Sequence, residues 1–180
     1  VRTLAASDNP DIAWRARRAL AARGLVDADA IEAWRSADGS GEAARMSVEA
    51  LASLPLEDAR SRAWESVYSE SLSNDFLTAT LAGLNASSWE GDSGLDSAVD
   101  RLRSYWEAHT IGMALRYANG VLAYGLDIDR DGSIERSVGL LRGWLDAHGD
   151  APAQIRRTVL EHLDAFERDE RVQRRWKQDQ

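Results

Sequence analysis

Apolar residues along this chain return every three or four positions, the period of a helix with one face against a core. "LDSAVDRLRSYWEAH" sets Leu95, Val99, Leu102 and Trp106 on one side, and "IGMALRYANGVLAYG" does the same with Ile111, Leu115, Ala118 and Leu122. "SIERSVGLLRGWLDAHG" aligns Ile134, Val138, Leu141 and Leu145, and "PAQIRRTVLEHLDAFE" aligns Ile155, Val159, Leu163 and Phe166. Upstream, Leu77, Leu81 and Leu84 line one side of "SNDFLTATLAGL". No stretch alternates apolar and polar residues long enough to predict a strand. The pattern predicts an all-α protein.

Helix starts and stops are well marked. Asp8 or Asn9 can cap a first helix that carries Pro10 in its first turn, where a missing N–H costs nothing. Gly24 follows that helix, and Gly39 and Gly41 bracket another joint. Gly149 is expected to close "LDAHG" in the left-handed conformation before Pro152 opens the next helix. Ser73 can cap "SNDFLTATL". These stops predict about eight or nine helices of about 10 to 15 residues. Joints of about two to six residues would lay successive helices side by side, mostly antiparallel. The expected architecture is one domain over residues 1–180, with helix hairpins stacked as a degenerate HEAT- or armadillo-like superhelix.

Composition narrows the setting. The 180 residues are 44% hydrophobic and 29% charged, the balance of a globular protein. No cysteine occurs, which excludes disulfides and thiolate chemistry and fits a reducing compartment, so a cytoplasmic location is expected. No apolar run reaches the length of about 18 residues that would span a bilayer, so no membrane partner is expected. No signal peptide is visible. A chain that opens on Val1 is expected to be a processed protein or, more simply, a piece of a longer polypeptide.

Net charge is −8, and residues 51–150, with 16 acidic and 8 basic side chains, account for all of it. Such a surface repels phosphates, so no nucleic-acid partner is expected. Arg171, Arg174, Arg175 and Lys177 cluster near the end, beside Asp169 and Glu170, and are expected to be a solvated helix terminus. The tryptophans Trp14, Trp34, Trp64, Trp106, Trp144 and Trp176 are expected mainly to pack between helices. Trp89 lies instead in the polar joint "NASSWEGDSG", as a lid over the core or an exposed contact.

The sharpest chemical pattern is "LDIDRDGSIERSV". Counted from Asp127, an EF-hand loop requires oxygen ligands at positions 1, 3, 5, 7 and 9, glycine at 6 and a bidentate Glu at 12. Asp127, Asp129, Asp131, Gly132, Ser133 and Glu135 fit, but position 12 is Val138, which cannot ligate and belongs to an apolar stripe. The same letters also suit a helix start, with acidic residues toward its N-terminal dipole and Gly132 or Ser133 capping it. A divalent-cation module at Asp127–Val138 therefore remains one reading, with weak affinity.

Other chemistry lacks its residues. His109, His148 and His162 form no His-Glu-x-x-His pair, since Phe166 stands four beyond His162; each suits a capping or surface role. There is no Gly-x-Ser-x-Gly elbow and no phosphate loop with a lysine, the sole lysine being Lys177. No catalytic, cofactor-binding or metal residue is assigned.

The helices and joints together resemble the C-terminal helical region of actinobacterial aminopeptidase N, of the gluzincin zinc aminopeptidase family. The resemblance rests on a "W-R-A" helix and its following glycine (Trp14, Arg15, Ala16, Gly24), a loose "ADGSG", Pro55 ahead of Ala63-Trp64, and "SLSN" from Ser71 to Asn74. "YWEAHTIGMALRYANGVL" and "PAQIRRTVLEHLDAFERDERVQRRW" resemble the last helices of that family. The chain departs from it at Arg60 and Arg62, where a lysine is expected, and at the acidic "DIDRDG" joint.

The resemblance implies a noncatalytic domain that covers the catalytic chamber and limits peptide entry. It implies an upstream catalytic domain of the same polypeptide as partner, peptides as substrates of the whole enzyme, and zinc held by that upstream domain rather than here. This chain alone is then expected to be inactive. The alternative is a free-standing helical scaffold that binds another protein.

Overall fold

A computed structural model describes residues 1–69, 72–86, 94–123 and 133–178. Among them the chain is all-helical, with ten α-helices, a short 3-10 turn at Leu4–Ala6 and no strand. The helices are α1 (Pro10–Ala21), α2 (Ala28–Asp38), α3 (Gly41–Ala52), α4 (Glu57–Val67), α5 (Asn74–Asn85), α6 (Gly94–Asp100), α7 (Leu102–Ala108), α8 (Ile111–Leu122), α9 (Ser133–Ala147) and α10 (Ala153–Gln178). They divide into two compact units, Val1–Asp92 and Ser93–Gln180.

In the first unit, side chains with oxygen acceptors open most helices. Asn9 Oδ1 accepts from the amides of Asp11 (3.0 Å) and Ile12 (3.3 Å), with Pro10 at the first position of α1. Asp27, Ser40 and Ser73 cap α2, α3 and α5 in the same way. Each satisfies an amide that the helix itself leaves bare, an effect typically about 1 kcal/mol. Gly24 and Gly39, both at φ 63°, turn the chain through the left-handed conformation after α1 and α2.

Helix α3 is the centre of this unit and packs against α1, α2, α4 and α5. Its inward residues are small: Ala43, Ser47, Ala50 and Ala52 are buried. The α5 face includes buried Ala79, Thr80 and Gly83 between Leu77, Leu81 and Leu84. At Gly83 the two backbones nearly touch, because a Cβ there would lie 2.2 Å from the Glu49 carbonyl oxygen and 2.7 Å from Ala52 Cβ. Only glycine fits. Trp14, Ala21, Ile31, Leu54 and Ala59 fill the adjoining core. Arg60, 2% exposed, donates from Nη2 to the Leu84 carbonyl (3.2 Å) and so closes the last turn of α5.

In the second unit, α9 packs on α10, α7 on α8, and α8 on α10. The stripes read for α9 and α10 are buried as expected: Ile134, Val138, Leu141 and Leu145, then Ile155, Val159, Leu163 and Phe166. Two stripes differ. The helix expected across residues 95–109 breaks at Arg101, which sits between α6 and α7. The break shifts the helical phase, so Tyr105 enters the core at 4% exposure and Trp106 is only half-buried. Ile111 is 58% exposed at the first position of α8, while Ala114, Tyr117, Ala118, Val121 and Leu122 face inward.

Three further differences concern ends and lengths. Gly149 does not take the left-handed conformation, since Gly24 and Gly39 are the positive-φ residues among those described. Instead Arg156 Nη1 donates to the carbonyls of Leu145 (3.0 Å) and His148 (2.7 Å), capping α9 with a side chain. Helix α10 runs 26 residues, well beyond the expected length, and its final turns leave Val172 and Trp176 exposed, so Trp176 is not a core ring. Arg171, Arg174 and Arg175 are exposed there, as a solvated helix end requires.

The Gly83 contact yields a paired test. Gly83→Ala should destabilise the protein by about 1–3 kcal/mol through overpacking, despite alanine's higher helix propensity. Gly139→Ala, where a Cβ meets nothing within 4 Å, should instead stabilise by up to about 1 kcal/mol. Urea denaturation of both variants measures the contrast; equal effects would contradict the close approach.

Candidate functional site

Asp127, Asp129, Asp131 and Gly132, the core of the EF-hand-like pattern, lie outside the described residues, as does Trp89. The end of the pattern is described. Glu135 is exposed on α9, whereas Val138 is 4% exposed within the apolar face it shares with Ile134 and Leu141. Position 12 of the pattern is therefore a core side chain. Among the described residues no three His, Asp or Glu side chains are grouped to hold a metal ion.

Each histidine is tied to its own helix or a neighbour. His109 Nδ1 lies 3.0 Å from the Tyr105 carbonyl, and its ring stacks on Tyr105 at 3.9 Å between centroids. Tyr105 stacks in turn on Tyr117, also at 3.9 Å, and the Tyr117 hydroxyl donates to the Ala98 carbonyl at 2.8 Å. His148 repeats the device at the end of α9, with Nδ1 2.9 Å from the Trp144 carbonyl and its ring on Trp144 at 4.6 Å. In both, an Nδ1–H donated to a carbonyl four residues back closes the final helical turn.

His162 differs. Its Nε2 faces Asn119 Oδ1 of α8 at 3.1 Å, and its ring meets Phe166 edge-on. Burial holds its pKa below the ordinary 6.5, against an opposing pull from Glu161.

The described residues do enclose one recess with convergent charge, between α1 and α3. It has a volume of about 400 Å³ and is lined by Trp14, Arg15, Arg18, Arg45, Met46 and Glu49. Helical spacing puts Trp14, Arg15 and Arg18 on one side of α1, and Arg45, Met46 and Glu49 on the facing side of α3. Glu49, with its side chain 13% exposed, holds both arginines: Oε1 meets Arg18 Nη1 at 2.5 Å and Oε2 meets Arg45 Nη1 at 3.8 Å. Arg45 also pairs with Glu42, whose hydrogen bond is the largest influence raising the guanidinium's pKa, so it stays charged at any accessible pH.

The walls are fixed from behind. Trp14 Nε1 donates to Asp38 Oδ2 at 2.9 Å, and this hydrogen bond, helped by Ser40, lowers the Asp38 pKa. Arg17 spreads over the Trp14 and Trp34 rings, 4.8 and 5.2 Å from their centroids, and donates from Nε to the Ala5 carbonyl.

Chemically the recess presents three guanidinium groups around one paired carboxylate, beside Met46. Sequence reading passed over it because Arg15 and Arg18 look like ordinary exposed positions. The available signal was Arg and Glu at helical spacing on two helices whose other faces are apolar, and that signal requires knowing that α1 and α3 meet.

No protein-family model matches the chain, and no curated protein matches it.

The His162 environment predicts a pH response. The folded state keeps the imidazole neutral, while the unfolded chain takes its proton at the ordinary value. Stability from this residue is thus complete above about pH 6.5 and is lost as pH falls from there through the lowered folded-state pKa. His162→Gln, which retains a donor for Asn119, should flatten the decline in unfolding free energy between about pH 7 and pH 5 relative to wild type. Parallel curves for the two proteins would contradict it.

Proposed function

We propose that this chain is a noncatalytic helical domain of a cytoplasmic zinc aminopeptidase, covering the catalytic chamber and limiting which peptides reach it. The observation that carries the reading is the resemblance to the C-terminal region of aminopeptidase N, together with the structural work done by the residues that bear it. Trp14 is 2% exposed and hydrogen-bonded to Asp38. Gly24 takes a backbone conformation that favours glycine, and its Cα faces Pro55, whose Cγ would lie 3.4 Å from an added Cβ. Ala63 and Trp64 are buried on α4, and Ser73 caps α5.

The order of packing supports a stacked arrangement within the first unit. Odd-numbered helices lie on one another, α1 on α3 and α3 on α5, while α2 and α4 pack beside α3. That alternation is what successive hairpins produce when they stack. Zinc and the general base would belong to the upstream catalytic domain, and peptides to the enzyme as a whole. No helix among the described residues is long and apolar enough to cross a membrane.

One observation favours a second reading, a free-standing scaffold for another protein. Val172 and Trp176, 68% and 67% exposed and one turn apart on α10, present apolar surface beyond the core.

The leading reading predicts that the purified 180-residue chain releases no product from alanyl or leucyl p-nitroanilide, with or without added zinc. Zinc-dependent turnover by the isolated chain, removed by a chelator, would contradict the noncatalytic assignment.

A further inference from the structure

The recess between α1 and α3 has the chemistry of an anion site within an acidic protein. We propose that it binds a small oxyanion carried on an apolar stem, a carboxylate or a phosphate monoester. The proposal stands apart from the aminopeptidase reading, because it uses only residues of α1 and α3.

Charge is the first argument. Arg15, Arg18 and Arg45 against Glu49 leave the lining at +2, and at +1 with the Glu42 that pairs with Arg45, in a chain whose net charge is −8. The lining cations are all arginines, whose planar forks match carboxylate and phosphate oxygens in pairs.

Unused donors are the second. Among the described residues Arg18 donates only through Nη1, to Glu49, leaving Nε and Nη2 available. Arg15 is exposed and makes no ion pair or hydrogen bond to the described residues. Glu49 acts as a clamp. Its two oxygens engage Arg18 and Arg45 separately and hold them on opposite sides of the recess. A ligand oxyanion would therefore meet an Arg18 guanidinium already oriented by its ion pair, with Arg15 ordering on binding.

Shape is the third. A volume of about 400 Å³ lies within the usual range for small-molecule sites. Met46, half-buried, supplies a soft aliphatic wall beside the charges, while Trp14, 2% exposed, contributes little more than an edge. Inorganic phosphate would leave Met46 uncovered, whereas an alkyl stem would bury against it. The acidic surroundings oppose long-range attraction, so affinity must come from short-range contacts and be modest.

The test follows the Trp14 indole N–H and the α1 and α3 amides by NMR in the isotope-labelled full chain at constant ionic strength. Hexyl phosphate, hexanoate and inorganic phosphate are titrated separately. At least one alkyl oxyanion should saturate with a Kd of about 1 mM. Arg15→Gln and Arg18→Gln should each weaken it about tenfold, the loss of a charged hydrogen-bond pair. Tighter hexyl phosphate identifies a phosphate monoester as the ligand class, and tighter hexanoate a carboxylate; either supports the site. Inorganic phosphate binding as tightly as hexyl phosphate would overturn the apolar half of the proposal. Shifts that never saturate, or a Kd unchanged in both variants, would overturn it entirely. Circular dichroism checks the fold of the variants. Should Arg18→Gln fail to fold, Arg15→Gln decides alone, because Arg15 makes no ion pair or hydrogen bond to the described residues.

Discussion

The near-contact of α3 and α5 at Gly83 is the constraint around which the first unit is arranged. Where a Cβ would stand 2.2 Å from a carbonyl oxygen, the helices can pack only backbone to backbone, and small residues must line the rest of the seam. Ala43, Ser47, Ala50 and Ala52 on α3, with Ala79 and Thr80 on α5, meet that requirement. Dispersion between closely packed atoms then replaces the large side chains that usually fill a helical core. Glu49 gains a double role from this geometry. Its carbonyl presses on Gly83 of α5, while its carboxylate reaches Arg18 of α1. One residue of α3 thus meets helices on two sides.

The second unit solves a different problem, the bare carbonyls at helix ends. Its described helices do not close with left-handed glycines. His109 and His148 fold back onto carbonyls one turn earlier and lay their rings on Tyr105 and Trp144. Arg156 reaches from α10 to the last carbonyls of α9. The basic group sits where the helix dipole is negative, and the hydrogen bonds satisfy groups that burial would otherwise leave bare. The same contact ties α9 to α10, so ending one helix also docks the next. Histidine is used here as a structural cap, and its chemistry is spent on the fold.

Much of this was legible in the letters. The period of Leu77, Leu81 and Leu84, and of the stripes in α9 and α10, follows directly from a helix lying against a core. Asn9, Ser73, Gly24 and Gly39 mark ends because their side chains, or the lack of one, perform the capping. Where reading failed, the deciding contact was one that no local periodicity announces. Nothing near Gly149 announces that Arg156 will cap α9, and nothing near Arg101 shows that the helix restarts there and turns Tyr105 inward. The recess was hidden for the same reason. Arg15 and Arg45 stand thirty positions apart, and only the α1–α3 packing makes them neighbours. The importance of Gly83 is likewise a property of α3, not of its own surroundings in the chain.

The proposed function rests on the resemblance and on the structural roles of the residues that carry it, Trp14, Gly24, Ala63 and Trp64. The most direct measurement is an immunoprecipitation from source cells with an antibody raised against this chain, followed by an aminopeptidase assay and sizing of the captured polypeptide. The account predicts a polypeptide several times heavier than 19.9 kDa, with leucyl or alanyl aminopeptidase activity abolished by a zinc chelator. A captured band at the chain's own mass, without that activity, would contradict it.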